Sequence, residues 1–255
     1  MFGAVIRNVG VRNYLINGVS ARIGGLAAYV ITDKPIENCF VEGTLNTFGK
    51  GTSIGGMFGY LQGYAVNCYA GVDITVTYDC SPDKYVSEVR IGGFAASVAK
   101  GKATLPDASG IYCDVNKSGA ENCYASGNIR ITGGYPSIRH NLGEFVGNAG
   151  NYDTYKNCFV VGTIDFTGYS SGSISGEYCG KFVGYGSSYS ATVENLYECV
   201  SVIGYEDLQS YYDCTEATRE ELGSLAFLET NMNFDGSIWA EKADGLPVLK
   251  AYVNA

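Results

Sequence analysis

The sequence has few of the residues on which metal and acid–base chemistry usually depends. Its 255 residues include one histidine, His140, and although nine are cysteines, no two of them form a Cys-x-x-Cys pair. A zinc site built from histidine and cysteine needs such spacing, and a zinc peptidase needs a His-Glu-x-x-His helix. We therefore expect no catalytic residue, no metal site and no cofactor.

Positive charge and long apolar runs are also scarce. There are 17 Lys and Arg residues against 26 Asp and Glu, which gives a formal charge of −9 and a pI near 4.6. The cations are scattered, so nothing in the sequence could neutralise a run of phosphates, and we expect no nucleic-acid partner. No apolar stretch approaches the roughly 20 residues of a membrane-spanning helix, so no membrane insertion is expected.

Proline is rare, with five residues, whereas glycine and tyrosine are abundant, with 35 and 21. This balance is typical of a turn-rich all-β chain. The first residues lack the pattern of a secretory signal. Val5–Val11 instead has the pattern of a strand of the repeats that are described below. We therefore expect the chain to be one part of a larger parent protein.

Two short motifs alternate along the chain. The first, the asparagine–cysteine motif, occurs at Asn38–Leu45, Asn67–Ile74, Asn122–Ile129 and Asn157–Ile164, with a weaker copy at Glu198–Ile203. The second, the glycine motif, occurs at Gly24–Val30, Gly55–Tyr60, Gly92–Ala96, Gly143–Gly147 and Gly180–Tyr185. Copies of the glycine motif are separated by about thirty to fifty residues, which is typical of repeat proteins.

The asparagine–cysteine motif alternates with period two. In its fourth copy Cys158, Val160 and Ile164 share one face, while Thr163 and Asp165 share the other. This is the pattern of a half-buried strand. Stacked copies would place their cysteines in an interior row as free thiols. The cysteines outside this register, Cys80, Cys113, Cys179 and Cys214, are the candidates for isolated disulfides.

We expect residues 1–210 to form a β-solenoid of these repeats and residues 211–255 to form a helix and capping segment packed on it. Thr218 and Glu221 have the spacing of a capping box, which predicts a short helix from this point. A stack of repeats exposes strand edges at its ends. The predicted place of the cap is therefore the open end of the solenoid.

The alternation of these motifs resembles the GLUG-motif repeats of bacterial surface proteins, over roughly residues 24–204. Gly143–Gly162 and Gly180–Gly204 carry the likeness best, and Ile238–Ala240 with Asp244–Leu249 is similar to the segment that often ends such arrays. The resemblance implies a right-handed β-helix-like solenoid located outside the cell or on its surface. Such repeats occur in proposed adhesins and beside the catalytic domain of immunoglobulin-A-cleaving zinc peptidases.

The aromatic residue after each cysteine gives the main candidate binding site. Phe40, Tyr69, Tyr124 and Phe159 should point outward if the cysteines point inward, and stacking would align them as a ladder. One interpretation is an exposed stripe that binds a host or cell-surface glycan or protein, because aromatic faces supply large contact areas. The other is a second small core covered by insertions. The preceding asparagines would form a hydrogen-bonded ladder at a corner.

Charged outward residues give a weaker candidate. Glu42, Asp73 and Asp165 lie on outward strand faces together with Asn128 and Arg130, as the acids of pectin-cleaving β-helix enzymes do. A solvated strand face is favoured here, because these acids form no dense cluster and no calcium-binding pattern is present. His140 follows a proline-containing segment and is expected to be a surface loop residue.

The sequence thus favours a non-catalytic repeat module of a bacterial cell-surface or secreted protein, used for adhesion or as a rigid spacer. The alternatives are a polysaccharide-active β-helix enzyme, either a lyase or a hydrolase, and an accessory domain of a surface protease.

Overall fold

The computed structural model describes residues 5–19, 22–48, 53–78, 88–104, 112–133, 139–169, 178–186, 191–205, 208, 211–242 and 245–253. Cys80 and Asp244 lie outside these ranges. The strands of the first three repeats are β1 Gly10–Gly18, β2 Arg22–Gly24, β3 Val30–Ile31, β4 Ile36–Glu37, β5 Phe40–Phe48, β6 Ser53–Gly55, β7 Leu61–Gln62, β8 Tyr64–Val66, β9 Tyr69–Tyr78, β10 Glu88–Gly92, β11 Ala95–Ala99, β12 Gly101–Thr104, β13 Tyr112–Val115, β14 Gly119–Glu121 and β15 Tyr124–Gly133.

The remaining elements complete the chain. They are β16 Arg139–Gly143, β17 Val146–Ala149, β18 Thr154–Tyr169, β19 Cys179–Gly180, β20 Val183–Gly186, β21 Thr192–Ile203, β22 Thr215–Glu216, helix α1 Arg219–Gly223, helix α2 Leu225–Met232, β23 Trp239–Ala240, β24 Val248–Leu249 and a 3-10 turn Lys250–Tyr252. None of the helices in these ranges is long and apolar enough to span a bilayer.

Equivalent strands of successive repeats pair in parallel. One sheet follows the order β1-β5-β9-β15-β18-β14-β8-β4, with β21 and then β22 attached at β18. Two smaller sheets follow the orders β19-β16-β10-β6-β2 and β20-β17-β11-β7-β3. Among the described strands, only β12 with β13, and β23 with β24, pair antiparallel. The prediction of an all-β chain is confirmed, and its sheets are mostly parallel.

The register follows the asparagine–cysteine motif. Phe40 lies opposite Tyr69, Tyr69 opposite Tyr124, and Tyr124 opposite Phe159. The predicted inner row of thiols, Cys39, Cys68, Cys123 and Cys158, is fully buried in the main core. Every cysteine in the described ranges is a free thiol. The period-two pattern therefore identified the buried face correctly.

The fifth copy of this motif lies three residues earlier than predicted. Leu196 lies opposite Cys158 and Tyr197 opposite Phe159, whereas Cys199 lies opposite Val161. The copy therefore begins at Asn195, and its buried position holds leucine in place of cysteine. The expected copy at Glu198–Ile203 was wrong because it was aligned on Cys199.

The asparagines form the predicted ladder, and they turn the backbone. Asn38, Asn67, Asn122, Asn157 and Asn195 all have φ between 51° and 53°. Asparagine is the residue that most readily adopts this left-handed conformation after glycine. Side-chain amides connect neighbouring repeats, with Asn157 donating to Asn122 at 3.0 Å and Asn195 donating to Asn157 at 2.9 Å. Each asparagine thus forms a corner and joins it to the next.

Glycine is required where the glycine motif turns. A Cβ on Gly55 would overlap the carbonyl oxygen of Phe58, and a Cβ on Gly92 would overlap that of Ala95. The chain can fold back this tightly only without a side chain. The phenylalanines of these motifs then point inward and stack, with ring centroids 4.7 Å apart for Phe94 and Phe145 and 4.8 Å apart for Phe145 and Phe182.

The C-terminal segment does not lie where it was expected. Thr218 and Glu221 form the predicted capping box, but the helix ends at Gly223 and α2 begins after a second N-cap, Ser224. We call residues 218–242 and 245–253 the strap. The strap packs across the outer face of the long sheet, where its residues form a second core with the motif aromatics. This corrects the predicted cap on the open end of the stack.

Candidate functional site

The predicted aromatic ladder exists, but it is buried. Phe40, Tyr69, Tyr124 and Phe159 stack with centroid spacings of 5.0, 4.9 and 4.7 Å, and none of them is more than 2 % exposed. The rings therefore present no surface to a ligand. This corrects the expectation of an exposed binding stripe and favours the alternative of a second core.

The strap covers every ring of the ladder. Tyr252 packs edge-on against Phe40, Trp239 contacts both Tyr69 and Tyr124, and Phe234 contacts Phe159. The Tyr124 hydroxyl donates to the carbonyl of Pro247 at 2.7 Å. An apolar column of this length must be covered in water, and here the cover is the strap rather than insertions between repeats.

Beside the strap, the outer face of the long sheet continues as a polar groove with a volume of about 550 Å³. Its floor comes from outward positions beyond the ladder, because alternate residues of β5, β9, β15, β18 and β21 face the same way. The polar residues that line it are Glu42, Asp73, Ser126, Asn128, Thr163, Ser201 and Arg219. We call this the polar groove.

The two carboxylates of the polar groove already have protein partners. Glu42 accepts a hydrogen bond from the Tyr69 hydroxyl at 2.8 Å and forms an ion pair with Arg12 at 3.3 Å. Asp73 Oδ1 accepts from the backbone and side-chain nitrogens of Asn128, at 2.9 and 3.0 Å. Among the described residues, Asp73 Oδ2 has no partner, so one carboxylate oxygen remains open to the groove.

Asp165, the third predicted outward acid, lies outside the polar groove. Its carboxylate accepts from Thr167 and forms an ion pair with Arg130 at 3.5 Å. The Thr167 hydrogen bonds lower its pKa, and Arg130 adds to this effect. The predicted solvated strand face is found for Asp165 and Arg130. Glu42, Asp73 and Asn128 instead lie together in a concave surface.

Arg219 is the cation of the polar groove. It lies at the start of α1 on the strap and is exposed. Within the described ranges its guanidinium has no hydrogen bond and no ion pair. The groove therefore combines a free cationic donor with a free carboxylate oxygen and the hydroxyls of Thr163 and Ser201. Sequence reasoning missed Arg219, because nothing in its neighbourhood indicates which face the strap would cover.

A buried acid lies beneath the polar groove. Glu144 is 1 % exposed, and a Cβ on Gly162, which lines the groove, would come within 2.9 Å of its Oε1. Its Oε2 has no partner among the described residues. Burial raises the pKa of this carboxyl well above the usual range, and the charge of Asp73 adds to the shift. The signal in the sequence was a glutamate at the second position of the glycine motif, which is glycine in two other copies, Gly56 and Gly93.

His140 is not a surface loop residue. It lies in β16, is buried, and its ring packs edge-on between those of Tyr78 and Tyr169, with centroids 5.2 and 5.3 Å away. Neither ring nitrogen has a partner among the described residues. Burial lowers the pKa of His140 to about 4. The expectation was wrong because the covering rings come from strands β9 and β18, which are distant in sequence.

The burial of His140 predicts acid sensitivity. The unfolded chain takes up a proton near pH 6.5, whereas the folded chain resists it down to about pH 4. Above pH 6.5 this histidine does not lower the free energy of unfolding. As the pH falls from 6.5 towards 4, the free energy of unfolding decreases by about 3 kcal/mol. The aromatic rings of Tyr78 and Tyr169 face the imidazole, and the Cys179 thiol donates to the backbone carbonyl of His140, with Sγ 3.9 Å from the oxygen.

In His140→Phe, urea unfolding between pH 4 and pH 7.5 should therefore show a weaker fall in stability than in the wild type. An unchanged pH profile would show that His140 does not titrate on unfolding in this window.

The described residues contain no group of three or more His, Cys, Asp or Glu side chains that could hold a metal ion. Comparison with family models, curated proteins and solved structures finds no match for this chain. The fold and the site together define the class: an all-β protein of stacked parallel strands with a polar groove on one face.

Proposed function

We propose that the chain is a non-catalytic, glycan-binding repeat module of a bacterial cell-surface or secreted protein. In this proposal the three parallel sheets are the faces of a right-handed β-solenoid of GLUG-like repeats. The in-register pairing of equivalent strands and the resemblance of the two motifs support that architecture. The polar groove supplies the binding surface in place of the buried ladder.

The observation that carries the proposal is the pair of unsatisfied groups in the polar groove. Asp73 Oδ2 accepts hydrogen bonds and the Arg219 guanidinium donates them, and the hydroxyls of Thr163 and Ser201 do both. A sugar offers vicinal hydroxyls that match such a mixed set. Because Asp73, Thr163 and Ser201 stand on paired strands of one sheet, the groups are held in place before a ligand binds.

Binding is better supported than catalysis. A glycoside-cleaving site needs an acid and a base that face the same space on two sides of a bond. Glu42 is engaged by Tyr69 and Arg12, and Glu144 lies beneath the backbone of the sheet. Only Asp73 therefore offers a free carboxylate oxygen to a ligand. The remaining alternative, an accessory domain of a surface protease, concerns the parent protein and leaves the polar groove of this chain unchanged.

The test is a glycan array followed by titration of the strongest ligand. We expect the double variant Asp73→Ala/Arg219→Ala to lose at least about tenfold in affinity, because hydrogen bonds to charged groups are worth about 1.5–3 kcal/mol each. The matched control is Asp165→Ala, which removes an outward carboxylate of the same sheet outside the groove. Absence of any glycan ligand, or equal binding by the double variant, would refute the proposal.

A further inference from the structure

We infer, on the basis of the proposed glycan-binding function, that the glycan is an acidic oligosaccharide. One of its sugars places a carboxylate on the guanidinium of Arg219, and further sugars continue from the polar groove into a second cavity on the strap. We call this second cavity the strap cavity. It is formed by residues 219–220, 223–224, 241–242 and 245 and has a volume of about 460 Å³.

Arg219 is the one described residue that lines both cavities. It stands at the first position of α1, on the strap. Each cavity by itself is within the range of about 300–1,000 Å³ that is typical of small-molecule sites. A ligand that occupies both cavities therefore passes the guanidinium, and one of its sugars lies against this residue.

The guanidinium favours a carboxylate over a hydroxyl. Arginine presents parallel N–H groups in one plane, which match the two oxygens of a carboxylate, and hydrogen bonds between charged groups are stronger than those to neutral groups. Within the part of the chain that the structure describes, no acid forms an ion pair with Arg219. The side chain is exposed, so a ligand can reach it.

The polar groove favours a ligand group with a single negative charge. Glu42 is paired with Arg12, whereas Asp73 has no cationic partner among the described residues. A carboxylate carries one charge, whereas a phosphate monoester carries nearly two at neutral pH and would be repelled more strongly by Asp73. We therefore assign a sugar hydroxyl to the free oxygen of Asp73 and the sugar carboxylate to Arg219.

The strap cavity adds a hydrogen-bond donor without adding net charge. Its two cations are Arg219 and Lys242, and its two carboxylates, on Glu220 and Glu241, balance them. Glu241 accepts from the backbone nitrogen of Leu225 at 2.7 Å. The ammonium of Lys242 has no partner in the described ranges, so it can donate to the hydroxyls of a further sugar. Preference for an acidic ligand therefore depends on contact with Arg219 and not on the net charge of the cavity.

The test is an array of uronate- and sialate-containing oligosaccharides, each beside the same compound with its carboxyl groups reduced to alcohols, followed by titration of the strongest pair. We expect at least about tenfold tighter binding of the acidic form. Arg219→Lys keeps the positive charge but loses the paired donors, so it should lose most of this preference. Asp73→Ala should weaken both forms by the same factor, because Asp73 binds a hydroxyl that both forms carry.

The matched control is Arg130→Lys, on the same sheet but outside the polar groove, where Arg130 is paired with Asp165. It should leave the preference for the acidic form unchanged. A second comparison, of a disaccharide with a hexasaccharide, tests the strap cavity. Lys242→Ala should weaken binding of the hexasaccharide and leave that of the disaccharide unchanged, because Lys242 lines the strap cavity and not the polar groove.

The possible failures are distinguishable. Absence of binding by every glycan would refute both the proposed function and this inference. Equal binding of the acidic and reduced forms, or an unchanged preference in Arg219→Lys, would overturn the inference and leave the proposed function standing. A sulfated oligosaccharide without carboxylates that binds as tightly as the acidic form would overturn the assignment of a carboxylate. Equal losses for the disaccharide and the hexasaccharide in Lys242→Ala would overturn the extension into the strap cavity.

Discussion

Replacement of Trp239 by alanine is expected to lower the free energy of unfolding by about 3–5 kcal/mol, the usual range for a buried tryptophan. Trp239 is fully buried and contacts Tyr69, Tyr124 and Phe234. Its truncation would leave a cavity between the strap and two rungs of the ladder. Among the described residues the indole Nε1 has no partner, so its removal recovers some desolvation energy and holds the loss towards the lower bound.

Urea unfolding followed by far-ultraviolet circular dichroism measures this change. Fluorescence does not serve, since Trp239 is the single tryptophan. The control is Val253→Ala, at a 51 % exposed position of the strap, which should change stability by less than about 0.5 kcal/mol. A loss below about 1 kcal/mol in Trp239→Ala would show that the strap contributes little to the stability of the stack.

The strap gives this fold a feature that nearest-neighbour stacking lacks. In a repeat protein each unit contacts only the next, so stability is a sum of local terms. Here one segment contacts Phe40 of the first repeat, Tyr69 and Tyr124 of the next two, and Phe159 of the fourth. The strap therefore joins rungs of the ladder that do not stack directly on one another, such as Phe40 and Phe159.

Much of the fold could be predicted from the sequence because its signals are local and repeated. Alternation identified Cys158 and Ile164 as buried, and the recurrence of the motif placed Tyr69 beside Tyr124. The asparagine ladder followed from the same stacking. The fifth copy failed only because Leu196 replaces the cysteine that marked the register.

The location of the strap could not be predicted in this way. The pattern after Thr218 shows that the segment has an apolar side, but it does not show which apolar surface that side covers. Whether the ladder is exposed depends on that surface. For the same reason only part of the polar groove could be predicted from the sequence. Glu42, Asp73 and Asn128 were identified as outward residues, whereas Arg219 lies in the groove only because the strap carries it there.

Glu144 shows how a departure from a repeat can locate an unusual group. The equivalent positions in two earlier repeats are Gly56 and Gly93, which leave no side chain inside the stack. Glu144 places a carboxyl there, and its neighbour in the next repeat, Lys181, pairs with Glu198 at 2.8 Å. The acid is thus buried near Asp73 without a cation, and the folded chain favours its protonated form.

This arrangement predicts that Glu144→Gln stabilises the protein at neutral pH. Below the usual pKa of 4.5 the acid is protonated in both states, so its contribution to stability is fully present. As the pH rises, the unfolded chain releases the proton while the folded chain keeps it, and stability falls by about 1.4 kcal/mol per pH unit up to the folded pKa. Glutamine has nearly the same shape as the protonated acid and does not titrate.

Urea unfolding at pH 4 and pH 7.5 measures the difference. We expect the variant and the wild type to differ little at pH 4, and the variant to be the more stable of the two at pH 7.5. The control Glu220→Gln, at an exposed position of α1, should change stability by less than about 0.5 kcal/mol at both values. Parallel pH profiles for Glu144→Gln and the wild type would show that the folded chain accommodates the ionised carboxylate, and that the interior beneath the polar groove is more polar than its residues indicate.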